Sequence, residues 1–138
     1  MKKILVVFLI PILFSCKKDK TCNQDMAGIA GTYKVTAVGY KANASAQEED
    51  RYNYFFSDAC ERDDLFAFHA NGTFTFTDAG VKCVPPGDYS GTWSLNGSTM
   101  TIDGDLATIQ SFNCSALVIT GTGVLTPGDQ IRVTYTRQ

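Results

Sequence analysis

One histidine and one tryptophan stand in a chain of 138 residues, and lysine plus arginine, at twelve, fall short of the fourteen acids. The lone His69 leaves no imidazole cluster for a metal, and no two cysteines keep the spacing of about two to four residues that small zinc sites use. No basic stripe exists, so nucleic acid is not an expected partner. No Ser or Cys nucleophile can be placed beside His69, so acyl-transfer chemistry has no support. The longest apolar run, residues 4–14, is too short to span a bilayer core of about 30 Å as a helix. Internal repeats and low-complexity tracts are absent as well. These absences predict a protein that is not an enzyme and carries no cofactor or metal.

What is present begins with a leader. Lys2 and Lys3 precede the apolar run, and Ser15 is a small residue before Cys16, which is the order of a secretory signal peptide over residues 1–15. Leu13-Phe14-Ser15-Cys16 resembles the lipobox of bacterial lipoproteins, which implies cleavage before Cys16 and acylation of that cysteine. Lys17-Lys18-Asp19-Lys20 resembles the charged tethers of surface-exported Bacteroidetes lipoproteins. Residues 16–29 are therefore expected to be a lipidated tether and N-terminal arm, and residues 30–138 the folded domain. The expected location is the bacterial outer membrane, held by the lipid, with exposure at the cell surface as one option. Without Lys2 and Lys3, ten basic residues face fourteen acids, a net charge of −4.

Cys22, Cys60, Cys83 and Cys114 remain, and export makes disulfides their expected state. Four cysteines allow three pairings. Cys60–Cys83 with Cys22–Cys114 is favoured, the first closing a short loop and the second pinning the arm to a later strand.

From Gly31 onward short alternating segments are separated by turn signals, eight strands in all. In the first, Tyr33, Val35 and Ala37 share a face. Residues 43–63 break the pattern with Glu48-Glu49-Asp50 and a cluster at Tyr52, Tyr54, Phe55 and Phe56, expected to plug one end of the barrel. Around Asn71-Gly72, a three-residue loop with Gly72 left-handed pairs Phe68 with Phe74 and Phe66 with Phe76, so one face holds all four rings; it also turns His69 outward. At Asn96-Gly97 a two-residue turn is expected to set Leu95 opposite Ser98 and Trp93 opposite Met100. Trp93, Leu95, Met100 and Ile102 then share a face. In the strand near 106–113, Ile109 and Phe112 can share a face only through a bulge. Residues 79–89, with Pro85 and Pro86, form a loop. The last strand turns Ile131, Val133 and Tyr135 inward. Eight strands joined mostly by short turns predict an all-β, antiparallel up-and-down barrel.

Gly31-Thr32-Tyr33, the segment Cys60 to Asp64 before Phe66, Asn71 to Phe74, Cys83, Gly91 to Leu95 and Thr99 to Ile102 together resemble the lipocalin-like domain of small Bacteroidetes outer-membrane lipoproteins. The resemblance spans about residues 31–138 and implies an eight-stranded lipocalin-like barrel. Two departures stand out. Tyr33 occupies the position where lipocalins keep tryptophan, and neither Arg132 nor Arg137 is assigned as that residue's partner.

The resemblance implies a small hydrophobic ligand or lipid, with Tyr33, Phe66, Phe68, Phe74, Phe76, Trp93 and Tyr135 as the candidate interior. Seven large rings in a narrow barrel argue more for a packed core than for a cavity. The alternative function is a protein-binding module with a fully packed barrel, an enzyme inhibitor or accessory subunit, recognising its partner through loops 43–63 and 79–89. Asp58, Glu61, Asp63 and Asp64 are expected to form a solvated face. Asp103-Gly104-Asp105 is similar to part of a calcium loop but lacks the spaced ligand set.

Overall fold

A computed structural model describes residues 22–138; the expectations for the signal peptide and for acylated Cys16 lie outside them. A short helix α1 (Met26–Ile29) leads into strand β1 (Gly31–Lys41). The two-residue β2 (Glu49–Asp50), helix α2 (Tyr52–Phe55) and a 3-10 turn (Ala59–Glu61) follow, then β3 (Leu65–Phe68) and β4 (Thr73–Thr77). The remainder is β5 (Tyr89–Asn96), β6 (Thr99–Ile102), β7 (Asp105–Phe112), β8 (Ala116–Thr122) and β9 (Gln130–Arg137). Apart from β2, a side strand on β1, each strand pairs antiparallel with the next. Pairing of β1 with β9 closes the ring. The eight expected strands form an up-and-down barrel, and β2 is the one addition.

The aromatic hairpin forms in the expected register, Phe66 opposite Phe76 and Phe68 opposite Phe74. Gly72 takes φ +86°, a left-handed conformation that a Cβ would make costly. The second hairpin corrects the sequence reading. Trp93 pairs with Ile102 and Leu95 with Met100, around a Gly97-Ser98 turn. A turn centred on Asn96-Gly97 would need positive φ at both residues; here Gly97 alone adopts it, at +60°. The ladder thereby moves by two residues, which preserves parity, so Trp93, Leu95, Met100 and Ile102 still share a face.

Two bulges settle the irregular strands. In β7 the register shifts between Ile109 and Ser111, which lets Ile109 and Phe112 both turn toward the core. In β1 it shifts between Val35 and Ala37. Contrary to the simple alternation, Ala37 is therefore exposed and Val38 is buried.

Strand direction gives the barrel two unlike ends. The β3–β4, β5–β6 and β7–β8 turns and α1 gather at one end, which is sealed. Ile29 from α1 and Tyr33 are fully buried there. The Tyr33 hydroxyl donates to the Ile29 carbonyl at 2.6 Å, and Arg137 donates to that hydroxyl at 2.6 Å. The same guanidinium donates to the carbonyls of Gly28, Ile29 and Ala30 at 2.6, 3.2 and 3.2 Å. It also lies 5.2 Å from the Tyr33 ring centroid and 5.8 Å from that of Phe112. Arg137 is thus the last-strand partner left unassigned from the sequence. The Cys22–Cys114 disulfide joins the segment before α1 to the β7–β8 turn at this sealed end.

The other end carries segment 42–64 and loops 78–88, 103–104 and 123–129. Cys60–Cys83 joins the first two of these. Both bonds match the favoured pairing.

Candidate functional site

The barrel's wide end holds a cavity of about 660 Å³, within the usual range of small-molecule pockets of about 300–1,000 Å³. This overturns the expectation of a packed interior, and the distribution of ring sizes explains why. Trp93, Phe68 and Tyr33 crowd the sealed end: Phe68 lies 5.3 Å from Trp93 and 5.9 Å from Tyr33, edge to face. Toward the mouth, opposite the aromatic hairpin, the wall is built from Ala107, Ile119, Gly121, Ile131 and Val133. Small and aliphatic side chains there leave the axis open.

Of the seven interior candidates, Phe66, Phe68, Phe74 and Tyr135 line the chamber. Tyr33, Phe76 and Trp93 do not. Tyr33 is held in the Arg137 seal. Trp93 is buried, and its indole N–H donates to the His69 carbonyl at 2.8 Å; His69 itself is exposed, as its register predicts. Phe76 sits against Phe66 and Tyr89, with centroids 5.0 and 5.5 Å away. The aromatic periodicity showed which rings face inward but not how far along the axis each one sits.

The mouth was less legible. Phe55 and Phe56 of the α2 segment reach the chamber, while Tyr52 stacks on Phe56 at 5.1 Å and Tyr54 faces solvent. The aromatic cluster therefore forms one lip and leaves the chamber open. Asp103, Asp105, Leu106 and residues 122–124 form the facing lip. The Asp103 carboxylate accepts from the Thr92 N–H at 2.7 Å, which fixes its position under β5. Tyr89 is half-exposed at the same edge. Its partial burial, and then the negative charge of Asp103, raise its pKa above the usual phenol value.

Tyr135 is the polar group inside. It is 7 % exposed, and its hydroxyl has no hydrogen-bond partner among the described residues. Burial, and to a lesser degree Tyr89, push its pKa well up and keep the hydroxyl protonated.

Aspartates hold the mouth loops, which corrects the expectation of a solvated acidic face. Asp64 is buried and accepts from the Ala79 N–H at 3.3 Å, and Asp63 accepts from Val81 at 2.9 Å. Burial raises the pKa of Asp64; the Ala79 bond opposes this, and the nearby Asp78, Asp63 and Glu61 charges add to it. Asp58 and Glu61 close a capping box on the 3-10 turn. Two further aspartates, with no role assigned from sequence, do the same. Asp78, 1 % exposed, accepts from the Cys83 N–H. Asp129 gathers the N–H groups of Val124, Leu125 and Thr126 at 2.9, 2.8 and 2.7 Å. The signal for both was an Asp beside a Gly- or Pro-containing loop, the residue whose side chain best mimics a turn's own backbone.

The family model of the lipocalin-like domain matches residues 29–122, which covers most of the chain. No curated protein matches the sequence.

Proposed function

The chain belongs to the lipocalin-like domain family, and from that membership we propose that its barrel binds one small hydrophobic molecule inside the chamber, on a non-enzymatic lipoprotein of the bacterial outer membrane. The observation that carries the ligand reading is the cavity of about 660 Å³, walled by apolar side chains and open at one end. Anchoring rests on the leader and on Cys16, whose acylation would supply the membrane contact. Native mass spectrometry of the barrel purified from periplasm without detergent tests the first part: excess mass should be present and should vanish on denaturation. Ala107→Phe, which places a ring in the chamber, should reduce that mass or weaken binding by at least about tenfold. A clean apo mass, with no binding from a lipid panel, would refute it. Cys16→Ser should move the protein from the membrane fraction to the soluble one, and unchanged membrane association would refute the anchor.

A second reading, a protein-binding module, is favoured by one observation. The large apolar side chains that remain exposed, among them Tyr54, Val81, Val84, Leu106 and Val124, gather at the mouth end. Such clustering is a feature of docking surfaces. Polar substitutions at Tyr54 and Val84 that left capture of a partner unchanged would count against it.

A further inference from the structure

The ligand chemistry can be read more closely from where charge sits, on the premise that the chamber binds a small molecule. Among the described residues no Lys, Arg or His lines the chamber, and the charged ones that do are Asp103 and Asp105, both at the lip. The asymmetry extends to the whole end of the barrel. Among the described residues, every Asp and Glu except Asp25 lies in the strand ends and loops around the mouth. The cations at that end already have partners. Lys41 donates to the Ala44 carbonyl, Arg51 pairs with Glu49, and Arg62 donates to the Phe56 and Ser57 carbonyls. Lys82 is held by the Asp78 carbonyl and Asp88, and Arg132 by Glu48.

A carboxylate head entering this mouth would therefore lose hydration near two negative charges, with no cation among the described lining residues to meet it. An ammonium head would instead gain both carboxylates and be drawn in by the field of the acidic end. Deeper in the chamber, the unpartnered Tyr135 hydroxyl offers one hydrogen-bond donor in an otherwise apolar surround. A ligand oxygen reaching it would make a bond that displaces no protein partner.

We infer that the chamber selects a cationic amphiphile, whose apolar body bears one hydrogen-bond acceptor for Tyr135 and whose ammonium head rests at Asp103 and Asp105. Fatty acids are the amphiphiles it should reject.

The test is calorimetric titration of the purified barrel, residues 22–138, which contains the closed strand ring and both disulfides. The probes are dodecylammonium, dodecanol and dodecanoate, below their micellar concentrations. At about 10 mM salt the ammonium should bind at least about tenfold more tightly than the carboxylate, with the alcohol between them, and about 1 M salt should shrink the ratio. Asp105→Lys is suited to the test because the Asp105 side chain holds no hydrogen bond within the fold; it should cut the ratio at least about threefold. A mid-chain keto analogue of the amine should bind about fivefold better than the plain amine, and Tyr135→Phe should erase that gain. Equal binding of the three head groups, a preference for the carboxylate, or a ratio unmoved by Asp105→Lys overturns the charge assignment and leaves the chamber reading standing. A keto gain that survives Tyr135→Phe overturns the hydroxyl's part. Failure of all three probes to bind overturns both this inference and the chamber reading beneath it.

Discussion

Removing the Tyr33 hydroxyl should destabilise the whole barrel, because that one atom joins three parts of the chain. It donates to the Ile29 carbonyl at 2.6 Å and accepts from Arg137 at 2.6 and 3.2 Å, so α1, β1 and β9 meet there. A hydrogen bond to a charged group contributes about 1.5–3 kcal/mol. In Tyr33→Phe the guanidinium keeps its three carbonyl acceptors, so the expected loss is about 2 kcal/mol. Arg137→Met retains an apolar stem over Tyr33 but strips the carbonyls of Gly28, Ile29 and Ala30 of their shared donor; about 3–4 kcal/mol is expected. The double variant should lose about 1 kcal/mol less than the sum, since the direct contact is counted twice. Equilibrium unfolding in guanidinium chloride, followed by the fluorescence of Trp93, the single tryptophan, reads all four corners of the cycle. At about 4 °C per kcal/mol, Tyr33→Phe should also lower Tm by about 8 °C. A Tyr33→Phe protein within about 0.5 kcal/mol of the parent, with no coupling to Arg137, would refute the claim that this cluster seals the barrel.

Replacing Cys60 and Cys83 by serine opens a loop of sequence separation 23, which the chain-entropy account values at about 3 kcal/mol. Protease should then cut segment 51–64 first, and a loss under about 1 kcal/mol would show that Asp63, Asp64 and Asp78 already hold the lip in place. For Asp129, burial pushes the carboxyl pKa up, but the N–H groups of Thr126, Leu125, Val124 and Gly123 outweigh it and bring the pKa below the usual carboxylate value. A depressed native pKa stabilises the fold above the unfolded value of about 3.9 and loses that contribution as pH falls through the lower native value. The stability gap between parent and Asp129→Asn should therefore be constant near neutrality and close only in strong acid; a gap independent of pH throughout would refute the assignment.

Local rules read much of this fold from the sequence, and they stopped where position along the barrel axis mattered. Parity, together with a three-residue loop at Gly72, placed Phe66, Phe68, Phe74 and Phe76 on one face; parity also survived the wrong turn at Asn96, because a two-residue slip keeps every side chain on its side. The clash between Ile109 and Phe112 announced the β7 bulge. Nothing comparable announced the bulge in β1, where Ala37 and Val38 are both compatible with burial. Sequence could not decide between a chamber and a packed core because the volume is a sum over the ring: Ala107 and Gly121 come from neighbouring strands far from the aromatic hairpin they face. The acids misled for a different reason. Asp63 and Asp64 read as surface charge in sequence, yet each carboxylate accepts from a loop N–H group that no strand satisfies.

The Cys22–Cys114 bond has a consequence for stance. It fixes the point at which the chain leaves the barrel to the end opposite the mouth. On a lipid attached at Cys16, the six residues up to Cys22 would reach at most about 22 Å, whereas the eleven residues of β1 rise about 36 Å along the strand. A leash that short would not let the barrel turn over. Its opening would look away from the supporting bilayer, and cargo would arrive from the water side or from a facing surface.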